Sequence, residues 1–342
     1  MNILVCYGTR PELIKIKPVL NAFKINNMLF ETLRVEQHTT LITDTEQDDY
    51  IVRVPSGFNR LDALLATANN IPDNVFRYIT HVLVQGDTST AFVCAMAAFH
   101  RNIPVIHLEA GLRTYDTQNP YPEETYRQLI TKIADIHLCP TEQNRLNILK
   151  ESSTAKAYVV GNTVLDNLVD LRGSTIQGNQ VIVTLHRREN HPIMDKWFAA
   201  VNQLATKYPE YHFIIPLHPN PNVQKYKDLL TNVRIVDPIP YEYFIRNISG
   251  CAFAISDSGG IQEEVSFLGK AVVVCRKVTE RPESLGSNSF LCESPDRLID
   301  IVETVVLPKL KQNAFSQSNV YGDGNASSKI VKTLKEHHAK IQ

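Results

Sequence analysis

At 342 residues the chain is longer than one ordinary compact core accommodates, and two domains are expected. It is 43% hydrophobic and 21% charged, and 35 basic side chains nearly balance 36 acidic ones for a formal net charge of -1. No nucleic-acid or anionic-membrane partner is expected from that balance, so an anionic ligand has to be held by a local cluster. The cysteines Cys6, Cys94, Cys139, Cys251, Cys275 and Cys292 stand singly, with no metal-ligand spacing. They read as reduced core thiols, and no metal is expected. Met1 leads directly into NILVCY without a secretory-signal pattern, and no apolar run reaches the roughly 18 to 20 residues of a bilayer span. A cytoplasmic location is the expectation.

In chain order, short β-branched runs alternate with longer amphipathic stretches. NILVCY (2–7) precedes a helical pattern at 11–26, and THVLVQG (80–86) precedes 88–99. IPVIHLE (103–109) leads toward 122–134, and DIHLCP (135–140) is followed by 142–150. QVIVTLH (180–186), YHFIIPLH (211–218), CAFAISDS (251–258) and AVVVC (271–275) repeat the alternation. Continuous apolar strands between helices predict parallel sheets covered on both faces. Two such sets predict an α/β chain of two doubly wound, Rossmann-like domains. The polar, glycine-containing LRGSTIQGNQ (171–180) reads as the boundary, and the tail from about Asn325 as a final helix.

Ligands of open α/β sheets bind beyond the carboxyl ends of strands, so the residues at those ends matter most. The first strand ends in GTRPE, where a glycine turn lets backbone approach a ligand and Arg10 suits a phosphate; a plain βα turn with a surface arginine fits as well. QGDTST puts Asp87 past a buried strand, although capping by Asp87 or Thr88 explains that pattern too. HLEAGLRT puts Glu109 at the next strand end, and YPEETYR puts Glu123 and Glu124 at a helix start, where acidic residues are favoured anyway. Together these carboxylates would allow one to donate a proton while another accepts it.

The second half carries anion chemistry instead. TLHRREN presents His186 beside Arg187 and Arg188, and PLHPNPN presents His218. SDSGGIQEE puts Ser258, Gly259 and Gly260 where a helix begins, a setting that favours a diphosphate, and Glu264 one turn on could hydrogen-bond a ribose. VTERPES adds Glu280, Arg281 and Glu283. The glycines fit neither the dinucleotide nor the P-loop spacing, and no cofactor is expected. Acid–base groups in one domain and a diphosphate cradle in the other suit a sugar nucleotide lying across a cleft.

The segments GTRPELIKIKP, QGDTSTAF, HLEAGLRTYD, PYPEETYRQL, GNTVLD, LHRREN, LHPNPNV, SDSGGIQEE, GKAVVV, TERPE and YGDGNAS run in one order over residues 8 to about 327. Their combination resembles the non-hydrolysing UDP-N-acetylglucosamine 2-epimerase family. The resemblance implies a GT-B-like fold with domains 1–170 and 171–325, facing across a cleft, and a helix at 326–342 packing back toward the first domain. It implies a homodimer and a UDP-sugar substrate. Asp87, Glu109, Glu123 and His186 match the family's catalytic residues. Arg10, Lys15 and Arg127 match basic active-site positions, and Phe244 the aromatic against uracil. Ser258 and Gly259 match the diphosphate contacts and Glu264 the ribose ligand; His218, Gly260 and Arg281 complete the expected substrate-binding set.

The chain departs from the family at Glu36, which replaces a glycine before Gln37 and His38, and at Tyr126, which replaces an asparagine before Arg127. The segment 55–64 lacks the pattern that many bacterial members use for an activating second UDP-sugar, and no such activation is expected. The chemistry implied is conversion of UDP-GlcNAc to UDP-ManNAc, by elimination of UDP to a 2-acetamidoglycal and re-addition. The same chemistry on a 6-deoxy sugar, a hydrolysing epimerase, a GT-B glycosyltransferase and a non-catalytic sugar-nucleotide-binding protein stay open as alternatives.

Overall fold

Parallel strands need cover on both faces, and this chain supplies it by alternating strand with helix. A computed structural model describes residues 1–36, 48–54, 60–173 and 178–339. The first elements are β1 (Asn2–Tyr7), α1 (Arg10–Ile25), β2 (Leu29–Glu36), β3 (Tyr50–Arg53), α2 (Arg60–Asn70) and β4 (His81–Gln85). Next come α3 (Ser89–Phe99), β5 (Val105–Leu108), α4 (Glu123–Ile133), β6 (Ile136–Cys139), α5 (Glu142–Glu151) and β7 (Lys156–Val159). After them lie β8 (Gln180–Thr184), α6 (Met194–Lys207), β9 (His212–Pro216), α7 (Pro221–Gln224), β10 (Arg234–Val236) and α8 (Tyr241–Gly250). The chain continues with β11 (Phe253–Ser256), α9 (Gly259–Leu268), β12 (Val272–Val274), β13 (Ser289–Leu291), α10 (Leu298–Ile301), α11 (Leu307–Lys311) and α12 (Ala326–Ala339).

These elements form two compact units, Met1–Asn167 with Gly322–Gln342, and Leu168–Tyr321. The first is built on a parallel seven-stranded sheet of order β3-β2-β1-β4-β5-β6-β7. The second has six parallel strands in the order β10-β9-β8-β11-β12-β13. Both sheets wind outward in one direction and then reverse, at β1/β4 in the first unit and at β8/β11 in the second. Ligand crevices of doubly wound sheets lie at such reversals, beyond the strand ends. The turns there are GTRPE and QGDTST in the first unit, and HRREN and DSGG in the second.

Strand periodicity splits β1 between two cores. Leu4 and Cys6 join Val82, Val84 and the buried face of α3, while Ile3, Val5 and Tyr7 join Ile16, Val19 and Phe23 of α1. Ile330, Val331 and Leu334 of α12 complete the second of these clusters, so the last helix belongs to the first unit. Asp166 caps that helix, accepting from the Ala326 amide at 2.9 Å and the Ser327 amide at 2.8 Å. In the second unit Trp197 and Phe198 of α6 pack with Phe213, Phe253 and Val273. All six cysteines are free and buried, as core thiols would be. Among the described residues no helix is long and apolar enough to cross a membrane.

Candidate functional site

The GTRPE turn is built from the inside. Gly8 is required sterically, because a Cβ there would stand 2.2 Å from Thr90 Oγ1 and 3.0 Å from the Val35 carbonyl oxygen. Thr9 caps α1 in a capping box with Glu12, whose carboxylate accepts from the Gly8 and Thr9 amides at 3.1 and 2.7 Å. Thr88 donates to Glu12 at 2.6 Å and itself caps α3, so the first two crevice turns are tied together. Burial raises the Glu12 pKa, against the hydrogen bonds from Thr88, Thr9 and the amides. Arg10 opens α1 half-buried, with no hydrogen bond or ion pair to other described residues.

Glu109, just past β5, is held through both its backbone and its carboxylate. It is 8% exposed and sits at φ +63°, a left-handed conformation that costs a non-glycine residue on the order of 1 kcal/mol or more. Lys15 Nζ reaches its two oxygens at 2.7 and 2.6 Å, Asn162 Nδ2 donates at 3.0 Å, and Gln85 Nε2 donates as well. Gly86, at φ +71°, brings backbone close beneath the carboxylate. His107 meets the Gly86 carbonyl through Nε2 at 2.8 Å, and its burial lowers its pKa to about 3, which keeps the ring neutral.

The acidic pair at the start of α4 divides into two roles. Glu124 is fully buried and accepts from the Thr114 and Tyr115 amides, both at 3.1 Å, and from Gln128 at 2.8 Å, which anchors the loop ahead of the helix. Glu123 is half-buried and makes no hydrogen bond or ion pair with other described residues. Arg127, one turn on, is ion-paired with Asp87 and lies 3.4 Å from Glu124. Arg113 of the LRT segment is held at 2.7 Å by Glu151 and at 2.8 Å by Thr131, a structural assignment.

Tyr126 and Glu36, the two positions where the sequence suggests a departure from the family it resembles, have local partners. Tyr126 stacks on Phe92 with ring centroids 5.1 Å apart, and Glu36 pairs with Arg34 at 3.0 Å and Arg53 at 3.1 Å. Gln37, His38 and residues 55–59 lie outside the described residues.

The second unit organises its anion-type residues around a buried carboxylate, Asp257. It accepts from the His186 amide at 2.9 Å, the Arg187 amide at 2.8 Å and Asn190 Nδ2 at 3.0 Å, which fixes the HRREN turn against the end of β11. The His186 ring has Nδ1 3.6 Å from Asp257 and stacks on His218, with centroids 5.1 Å apart and planes at 11°. Burial lowers the pKa of His186, with Asp257 opposing; burial and then the His186 ring lower that of His218.

Ser258 is the N-cap of α9, yet its side chain accepts no amide of the helix. The first-turn amides of that helix are left pointing outward with the positive end of its dipole. The two glycines there differ. A Cβ on Gly259 would stand 2.5 Å from Arg281 Nη1 and 2.8 Å from Glu280 Oε1, whereas one on Gly260 would meet nothing within 4 Å. Arg281 is buried between Glu263, at 2.6 Å, and Glu280, and Arg276 extends the chain of charges to Glu280 at 2.9 Å and Glu189 at 3.0 Å. Tyr321 closes this network by donating to the Arg281 carbonyl at 3.0 Å. Glu264 accepts from the Tyr241 hydroxyl at 2.8 Å, and Phe244 is half-buried on the same helix as that tyrosine.

Sequence reasoning missed Gln85, Asn162, Asp257 and Tyr241. The first three stand inside QGDTST, GNTVLD and SDSGG, but nothing in those strings says whom an amide or a buried carboxylate will bond.

A family profile for UDP-N-acetylglucosamine 2-epimerase matches residues 24–335. The chain is 36% identical over 369 residues to the UDP-N-acetylglucosamine 2-epimerase of Neisseria meningitidis, covering 98% of this chain and 99% of that one. It is 33% identical over 382 residues to the Yersinia pestis protein of the same description, over the whole of both chains. A crystal structure of UDP-GlcNAc 2-epimerase from Neisseria meningitidis bound to UDP-GlcNAc superposes with a TM-score of 0.89 at 35% identity, over 98% of this chain and 100% of that one. The α/β, GT-B-like fold class expected from the sequence is therefore the one observed.

Proposed function

The chain belongs to the UDP-N-acetylglucosamine 2-epimerase family, a family of isomerases, and we propose that it converts UDP-GlcNAc to UDP-ManNAc by eliminating and re-adding UDP. The observation that carries this reading is the contrast among the first unit's carboxylates. Glu109 is clamped by Lys15, Gln85 and Asn162, Asp87 is ion-paired with Arg127, and Glu123 is unpaired among the described residues. A two-faced proton transfer needs groups held in such different environments.

The C1–O bond breaks and its electron pair leaves with the UDP oxygen. The positive charge developing at C1 acidifies the C2 proton; that proton passes to a carboxylate, and the C2–H pair becomes the C1=C2 double bond of a 2-acetamidoglycal. A second carboxylic acid then delivers a proton to the opposite face of C2. The UDP oxygen returns to C1. Electrons and atoms balance without a redox partner.

The α9 amides, with His186, suit the diphosphate, where negative charge accumulates in the transition state, and Arg10 of the first unit stays in the proposed substrate-binding set through the family resemblance. Ser258, Gly259 and Gly260 belong to that group, Glu264 with Tyr241 suits the ribose, and Phe244 the uracil. His218 supports the His186 ring. Arg281 is engaged by Glu263 and Glu280, so its part is to hold the α9 turn. The homodimer implied by the resemblance belongs to the same proposal and would appear as twice the chain mass in sedimentation.

The test is incubation with UDP-GlcNAc in deuterated water, followed by proton NMR. UDP-ManNAc carrying deuterium at C2 is the expected product. Asp87→Asn, Glu109→Gln and Glu123→Gln should each lower kcat by about 100-fold or more, as for lost acid–base groups. Wild-type rates in all three variants, or release of free ManNAc with stoichiometric UDP, would overturn the reading.

A further inference from the structure

We propose that Gln85 and Asn162 are positioning residues that keep Glu109 ionised and aimed, making it the proton acceptor among the first unit's carboxylates. The inference deepens the function proposed above and rests on it only for the word acceptor. The geometry stands by itself.

Three side chains from distant parts of the sequence converge as donors on one carboxylate: Lys15 from α1, Gln85 from the end of β4 and Asn162 from beyond β7. The orientation of the Asn162 amide is set independently. Its Oδ1 accepts the Val164 amide at 3.1 Å, so Nδ2 must be the atom turned toward Glu109. Asn162 and Gln85 are each 2% exposed, which makes a donor without its acceptor costly at either position. A protonated Glu109 would have to turn an O–H against one of these donors; an ionised one accepts them all. The charged or titratable groups seen to face it among the described residues include Lys15 on α1 and His107 on β5, the latter neutral in its buried site.

The backbone agrees with the side chains. Glu109 takes a left-handed conformation at the strand end, and Gly86 lets its carboxylate lie against the β4 turn. The side chain is thereby given one direction, and the three donors give it one charge state. Glu123, unpaired among the described residues, is left as the group able to arrive carrying a proton.

Two near-isosteric variants test this. Gln85→Met removes a donor at constant volume, and Asn162→Asp keeps the acceptor for Val164 while turning a second oxygen toward Glu109. With the protein labelled at glutamate carboxyl carbons, the Glu109 resonance is identified by its loss in Glu109→Gln, and its titration is followed without substrate. Its midpoint should rise by about one pH unit or more in Gln85→Met, and further in Asn162→Asp, as expected when a carboxylate loses a donor or gains a like charge. The acid limb of the kcat profile should move by the same amount while KM stays within about threefold, the mark of a group acting in the chemical step. An unmoved Glu109 midpoint in the variants that fold overturns the proposal, whether or not epimerisation is seen. Shifted midpoints in a protein that does not epimerise UDP-GlcNAc would leave the clamp standing and remove the function assigned to it. Thermal unfolding identifies a variant that fails to fold, and Gln85→Met, which breaks no second side-chain hydrogen bond among the described residues, then decides alone.

Discussion

At the scale of single residues, the adjacent glycines of DSGG look interchangeable in the sequence and are not so in the structure. Gly259 is hemmed in by the Arg281–Glu280 ion pair, while Gly260 faces open space. Gly259→Ala should therefore cost about 1 to 3 kcal/mol of stability, by displacing a buried pair that cannot withdraw. Gly260→Ala should leave stability within about 1 kcal/mol or raise it, since alanine is the better helix former. Its cost should fall on the ligand: UDP affinity should drop on the order of tenfold, because the added methyl stands where a phosphate oxygen must approach the amides. Thermal melts and calorimetric titration with UDP separate the two effects, and unchanged UDP affinity in Gly260→Ala would remove the diphosphate from this helix. The same scale shows where sequence reading stopped. Asp87, Glu109 and His186 could be named because strand ends announce themselves. Two partners of Glu109, Gln85 and Asn162, could not, because they lie 24 and 53 residues away and are set by the folded sheet; Lys15, 94 residues away, was named only through the family resemblance.

Among elements, legibility followed burial. The strands readable from continuous apolar runs were β1, β4, β5, β6, β8, β9, β11 and β12, all interior to their sheets. The four edge strands β3, β7, β10 and β13 were missed, and each is short; an edge strand is not buried on both faces and needs no such run. The interior β2 was missed for another reason: LFETLRVE spends Glu31, Thr32, Arg34 and Glu36 on side-chain pairs, which breaks the apolar pattern. Two interior strands also carry an acid lability. His107 and His137 are register partners on β5 and β6, and burial lowers their pKa values to about 3 and about 4. Unfolded, each titrates near its ordinary value of about 6.5. Below that pH the unfolded chain takes up protons that the folded sheet refuses, so stability falls as pH falls, with a limiting slope of about 1.4 kcal/mol per pH unit for each ring. His81 on β4, whose pKa burial lowers to about 4, adds a third ring of the same sign. Hydrogen exchange of β5 and β6 amides between about pH 7 and pH 5, corrected for intrinsic rates, should report this loss, and His137→Phe should lower the slope by one ring's share, about 1.4 kcal/mol per pH unit. A flat stability across that window would mean the rings are charged in the folded sheet.

For the molecule as a whole, the order of the chain and the order of the units differ. The first unit is discontinuous: α12 returns to it, packs against α1 and is capped by Asp166. The second unit, Leu168–Tyr321, is one unbroken segment with its own core and with all of the residues assigned here to ribose, uracil and α9. Ending the chain after Tyr321 should therefore act on one unit only. It removes Ile330, Val331 and Leu334 from the α1 face of the sheet, side chains at most 4% exposed. At about 1.5 to 3 kcal/mol each, their loss amounts to roughly 5 to 9 kcal/mol, comparable with the whole stability of an ordinary domain. The first unit should then be unfolded at room temperature while the second keeps a cooperative calorimetric transition. Ligand linkage supplies the decisive reading: UDP should raise the midpoint of the surviving transition, by about 2.7 kcal/mol of added stability at a hundredfold excess over its Kd. If that transition is indifferent to UDP while the intact chain responds, the second unit does not hold the nucleotide by itself, and α9 with its neighbours is not a sufficient nucleotide site.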